Sequence, residues 1–309
     1  MKKKVYFFID DVIWVIRDLH RERPKSIFDN EFLKGLKEAH DKYGLKVQLN
    51  LFNRLDFYYG RDEFCLAEMT DEYKAEFEEA SDWLKFGFHS RQEFPDYPYI
   101  NADYEDVKED LDYVKREVFR FASEKNFAYA CCPHWVSMSK EGCKALRDGG
   151  IKFLSSTHGD KKEYTGDPSA LPYGHAGRLL QNRKPETVMF SRETRDVAIS
   201  NSICGYNHIT QEEEMATRYN LGTIYNEELD VHLKGDTAGL TLNLYTLDEV
   251  REMTKSLVDY EYVRYADHEQ YFYKDYFAYQ PDYMEKIHTA AKILSDNGFE
   301  HFFAEEIVD

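Results

Sequence analysis

Short apolar runs alternate with segments of helical period along most of the chain. Val5 to Ile9 is an unbroken apolar run of strand length, and Lys46 to Phe52, Leu84 to Phe88, Phe127 to Cys132 and Ile151 to Leu154 read as four more strands. Between them the period changes. Phe32, Leu36, Ala39 and Tyr43 share one helical face from about Asp29, with Gly44 as the stop. Asp71 to Ala80 is a charged helical stretch. Val107, Leu111, Val114, Val118 and Phe121 recur at spacings of 4, 3, 4 and 3, which predicts one long amphipathic helix. Ser139 opens a further helix that Gly149-Gly150 ends.

Thr157 to Glu186 is polar, rich in Gly, Pro, Lys and Arg, and has no period. A stretch of that length without an element predicts a lid or binding loop, or a solvated insertion. Strand character resumes at Val188 to Phe190 and Val197 to Ile199, and helices are expected over Gln211 to Tyr219 and Leu247 to Leu257. A late strand follows at Tyr260 to Tyr265, then a helix with Met284, Ile287, Ala291 and Leu294 on one face, then a strand at His301 to Ala304. Strands alternating with helices predict an α/β fold with parallel pairing and helices outside. No break in composition and no internal repeat divides residues 1–309, so the expectation is a single β/α barrel-like domain with an irregular insertion at about 157–186. An open doubly wound sheet is the alternative, though no G-x-G-x-x-G or Walker loop follows the first strand.

Composition narrows the partners. Forty Lys and Arg against 58 Asp and Glu give a net charge of −18, so phosphate backbones and anionic membranes would repel the chain. Neither nucleic acid nor membrane is an expected partner, and oligomeric state stays open. The five cysteines contain no C-x-x-C pair, which predicts reduced, mostly buried thiols. Asp10 and Asp11 interrupt the apolar stretch after Met1-Lys2-Lys3-Lys4, so no cleaved leader is expected, and the predicted location is cytoplasmic. With 24 Tyr, 21 Phe and 3 Trp, aromatics suffice to line a sugar cleft, or simply to fill a wide core.

The candidate chemistry sits at strand ends. Strand one closes in Asp10-Asp11, where β/α folds place their active sites. Successive side chains of a strand diverge, so both carboxylates can serve one site only if the chain turns there. An aspartyl phosphatase needs Asp-x-Asp, and Val12 and Ile13 stand where the second Asp would be. Strand three closes in His89-Ser90-Arg91-Gln92-Glu93, and a helical turn there would bring His89 and Glu93 to one face.

Taken in order, these segments resemble the NodB-like polysaccharide deacetylases. Asp10-Asp11 is similar to the opening Asp-Asp motif of that family and His89-Ser90 to its His-Ser motif. Pro133-His134-Trp135 resembles its Arg-x-Pro-aromatic motif without the Arg, and Ala266-Asp267-His268-Glu269 its closing His motif. The resemblance implies a distorted seven-stranded barrel holding one divalent ion, zinc by preference, with manganese, iron or cobalt as alternatives. It implies Asp11, His89 and Glu93 as ligands, Glu93 replacing the family's second His, with His134, His158 and His268 as other imidazoles able to take the third place. Asp10 becomes the general base and His268 the acid, kept charged by Asp267 or Glu269. His134, Trp135 and His158 are expected beside the substrate. The implied activity is removal of an acetyl group from a sugar or glycan precursor. The alternatives are a related C–N hydrolase acting on a small non-sugar amide, and a carbohydrate-binding relative whose catalytic set has decayed.

Overall fold

The computed structural model describes residues 3–56, 62–93, 98–99, 102–155, 157–159, 222–234 and 238–308. Most of the expected loop, the strands near 188 and 197 and the helix near 211 lie outside the described residues, as does Cys204. The strands are β1 (Lys3–Val12), β2 (Val47–Phe52), β3 (Arg54–Leu55), β4 (Phe64–Cys65), β5 (Leu84–Ser90), β6 (Ala130–Cys131) and β7 (Ser137–Ser139). They continue with β8 (Phe153–Leu154), β9 (Thr157–Gly159), β10 (Thr223–Asn226), β11 (Val231–Lys234), β12 (Ala238–Thr241), β13 (Tyr262–His268) and β14 (Phe299–His301). The helices are α1 (Trp14–Glu22), α2 (Glu31–Tyr43), α3 (Lys74–Glu79), α4 (Tyr104–Phe121), α5 (Lys140–Asp148), α6 (Leu247–Ser256) and α7 (Tyr283–Asp296).

The central sheet runs β12-β13-β1-β2-β5, every pair parallel, with β14 also parallel against the first residues of β1. A second sheet runs β10-β11-β8-β6, parallel apart from the antiparallel edge strand β10. A parallel bridge between Phe86 and Phe127 links β5 to the segment leading into β6. The protein is thus a mixed α/β fold around a parallel sheet.

Why β1 reads as a continuous apolar run is visible in its two faces. Val5, Phe7 and Ile9 pack into the large core shared with the helices. Tyr6 and Phe8 turn the other way, onto Ala130, Cys132, Phe153, Phe302 and Ala304. A strand buried on both faces has no polar side to alternate. Helix α4 buries the stripe its sequence predicts, Val107, Leu111, Val114, Val118 and Phe121. Phe121, Phe77 and Phe86 meet edge to face at 5.3 to 5.9 Å, which seats β5.

Two differences from the expected elements have physical causes. The last strand ends at His301, because Phe302 and Ala304 leave the sheet to fill the inner cluster, and Glu305 accepts from Lys85 Nζ and the Tyr129 amide. Helix α1 carries no local start signal: Ile13 provides no side-chain cap. The carboxylate of Glu269 supplies it instead, accepting from the amides of Ile13 and Trp14 at 2.8 Å and Val15 at 2.6 Å. The buried thiols agree with expectation: Cys131, Cys132 and Cys143 are buried and unbridged.

Candidate metal centre

Strand β1 ends where its pairing with β2 slips, between Ile9 and Val12. Asp11 sits in that slip with φ 61°, a left-handed conformation that Asp tolerates better than most residues at a cost of about 1 kcal/mol or more. The twist turns both Asp10 and Asp11 into the same buried pocket. His89 arrives from the end of β5. His134 arrives from the turn after β6, where Trp135 and Val136 also have positive φ, 59° and 61°. A β-branched Val there is strained, so the turn is held by its surroundings.

Asp11 Oδ1 lies 3.0 Å from His89 Nε2 and 3.0 Å from His134 Nδ1, and the two ring nitrogens are 3.1 Å apart. All three residues are buried. The outer nitrogens show which way the rings are protonated. His89 Nδ1 donates to Cys132 O at 2.5 Å and His134 Nε2 to Glu93 O at 2.9 Å, and a carbonyl can only accept. In neutral rings, then, the inner nitrogens present lone pairs to each other and to a carboxylate. Three acceptors in contact repel unless a cation sits among them. Without a metal, protons must do that work. Burial opposes charge on His89, but Asp10 and Asp11 outweigh it and raise its pKa. Burial likewise opposes charge on Asp11, yet His134, His89 and His268 hold it well below the usual carboxylate range.

The donor set fits a divalent ion. Ligand atoms about 2.1 Å from a tetrahedral zinc stand about 3.4 Å apart, so a few tenths of an ångström of opening suffices. Two imidazoles and one carboxylate suit zinc, manganese, iron and cobalt alike. The Phe52 ring, 5.4 Å from His89 and 5.1 Å from His134, shields the imidazoles on one side.

The other expected site residues divide. Asp10 borders the cluster, with Oδ1 3.9 Å from His89 Nδ1. Asn50 Nδ2 donates to that oxygen at 2.6 Å, and the Cys132 thiol lies 3.9 Å from Oδ2. His268 is the register partner of Asp10 across β1 and β13. Its Nδ1 stands 3.0 Å from Asn243 Oδ1. The expected acidic partners of His268 are engaged elsewhere: Glu269 caps α1, and Asp267 accepts from the His268 backbone amide at 2.9 Å. Glu93, expected as the third ligand, is not in the cluster. Its Oε2 accepts from Gln270 Nε2 at 3.1 Å, and it lines a narrow cleft with Trp14, Phe52, Arg54 and Gln270. Pro95 follows too closely for the helical turn that would have stacked Glu93 on His89. His134, expected beside the substrate or as an alternative at the third place, stands in the cluster instead. Trp135 flanks it with ring centroids 6.4 Å apart. His158 falls in β9, and its side chain lies outside the described residues.

Gln48, Asn50 and Asn243 were not singled out by sequence. Gln48 and Asn50 alternate with apolar residues in β2, and a polar residue inside an otherwise buried strand is the signal that marks them.

No protein-family model matches the chain, and neither does any curated protein. Among solved structures it is similar to the 4-alpha-glucanotransferase of Thermococcus litoralis, with a TM-score of 0.53 and 10% identity over 100% of this chain. The chain spans 40% of the length of that protein. At this identity the likeness shows a shared fold alone.

Proposed function

We propose that the chain is a metal-dependent hydrolase that removes an acetyl group from a sugar or glycan precursor. The observation that carries this reading is the buried Asp11–His89–His134 cluster, with Asp10 beside it at the carboxyl ends of parallel strands. The fold supports it. β11 pairs with β8 and β12 with β13, and only three positions separate them in sequence. The proposed seven-stranded barrel requires β11 and β12 to be halves of one stave that joins the two sheets.

Asp11, His89 and His134 would hold the ion, zinc by preference. When bound, it supplies Lewis acidity that polarises an acyl carbonyl and makes a water molecule acidic enough to lose a proton near neutral pH. Asp10, fixed by Asn50, receives that proton. His268, oriented through Asn243, returns one to the departing amine or alkoxide, which prevents reversal. Phe52 and the buried strand ends exclude bulk water, strengthening each electrostatic contact. Trp135, half-buried beside His134, would offer a ring face to the substrate.

Metal content and acetate release from N- and O-acetylated sugars test the proposal together. The expected result is one divalent ion per chain and acetate release lost on chelation. A folded protein that takes up no divalent ion at micromolar concentration overturns it. Release from small non-sugar amides alone would favour the alternative C–N hydrolase.

A further inference from the structure

We infer that a neutral amide relay, Gln48 to Asn50, holds Asp10 in place, and that position 87 is glycine to leave room for it. The inference deepens the proposed hydrolysis and rests on that reading for Asp10 as the base; Gln48 and Asn50 are positioning residues.

The relay starts at a backbone carbonyl. Gln48 Nε2 donates to Ala130 O at 2.9 Å and to Asn50 Oδ1 at 2.6 Å, and Asn50 Nδ2 donates to Asp10 Oδ1 at 2.6 Å. Gln48 and Asn50 are 1% and 0% exposed, so water does not substitute for these partners. The direction is forced. Ala130 O accepts only, so the Gln48 NH₂ group faces it; Asn50 must then turn its oxygen to Gln48 and its NH₂ to Asp10. A flipped Asn50 would aim an oxygen at a carboxylate.

The anchor also matters, because Ala130 belongs to β6, the strand leading to Cys132 O and His134. The relay therefore ties the base on β1 to the segment that carries His134 and, through Cys132 O, holds His89. Gly87 on β5 lies beside it. A Cβ built there would stand 2.3 Å from Gln48 Nε2 and 2.5 Å from Asn50 Oδ1. Its φ is not positive, so space rather than backbone conformation calls for glycine.

Neutral donors suit this position physically. Amides fix the carboxylate and add no net charge.

Two readouts test the relay. The first is a double-mutant cycle of Asn50→Ala and Asp10→Ala on the unfolding equilibrium of the metal-free protein. A hydrogen bond to a charged group predicts coupling of about tenfold or more in the unfolding constant. Additivity within about twofold overturns the relay, whatever the activity. If Asn50→Ala does not fold, Asn50→Ser replaces it under the same thresholds. The second is steady-state kinetics of metal-loaded Gln48→Ala and Gly87→Ala. Here kcat is expected to fall about tenfold or more, with KM and metal Kd within about threefold. Unchanged kcat in both variants overturns the positioning role. Strong coupling in a wild-type protein that hydrolyses nothing would leave the relay standing and refute the reading of Asp10 as a base.

Discussion

Each imidazole of the cluster is committed by the bond on its far side. Because Cys132 O and Glu93 O accept from the outer nitrogens, the inner nitrogens keep lone pairs that a metal could accept. Loss of an outer-shell partner typically weakens a metal site about 10- to 100-fold. His134→Ala, which removes a ligand itself, is expected to weaken zinc binding by about 100-fold or more. Glu93→Gln is expected to stay within about threefold of wild type, because that carboxylate faces Gln270. Titration calorimetry on both variants checks the assignment, and the reverse result would restore Glu93 as the ligand. Glu269 makes a separate prediction. Burial raises its pKa, and the amides of Ile13, Val15 and Trp14 only partly offset this, leaving it at about 7 against an ordinary 4.5. The folded protein then binds a proton that the unfolded chain has lost. The stabilisation is complete below pH 4.5, falls through the window to pH 7, and is gone above. It amounts to about 3 kcal/mol. Urea unfolding from pH 4.5 to 8 should show this decline in wild type and a flatter profile in Glu269→Gln.

At the scale of elements, the site depends on how strands end. β1 ends in a register slip with a left-handed Asp11, and β6 gives way to a turn with left-handed Trp135 and Val136. Both are strained, and both are braced by strands packed on two faces. Weakening that packing should weaken the site from a distance. Phe86 is fully buried between Phe77 and Phe121 behind β5, the strand that delivers His89. Phe86→Ala is expected to cost about 3–5 kcal/mol by denaturant titration. Helix α1 shows a related dependence, since its N-terminus is capped from a residue 254 to 256 positions away.

For the whole molecule, the Asp11–His89–His134 cluster is a place where folding brings lone pairs to face one another. A ligand that binds only the folded state stabilises it by RT ln(1 + [L]/Kd), about 2.7 kcal/mol at a hundredfold excess over Kd. For a chain of this length that is a rise of about 5 °C in Tm. Zinc should produce this rise in the wild type, EDTA should reverse it, and Asp11→Asn should abolish it. Among the described residues no helix is long and apolar enough to cross a membrane.

Periodicity determined most of the framework. The stripe of α4, the glycine stop of α2 at Gly44 and the strand positions of β1, β2, β5 and β13 follow from local spacing, because burial on one stripe or on two faces leaves its mark in the nearest dozen residues. The strand-end location of Asp10, Asp11, His89 and His134 was legible for the same reason. Which of Glu93, His134, His158 and His268 joins Asp11 and His89 was not. His134 displaces Glu93 because a left-handed turn after β6 swings it inward, and α1 begins where it does because of Glu269. Asn50 reaches Asp10 only because β1 and β2 pair in one register. Such contacts are made between residues distant along the chain, so three-dimensional packing alone decides them.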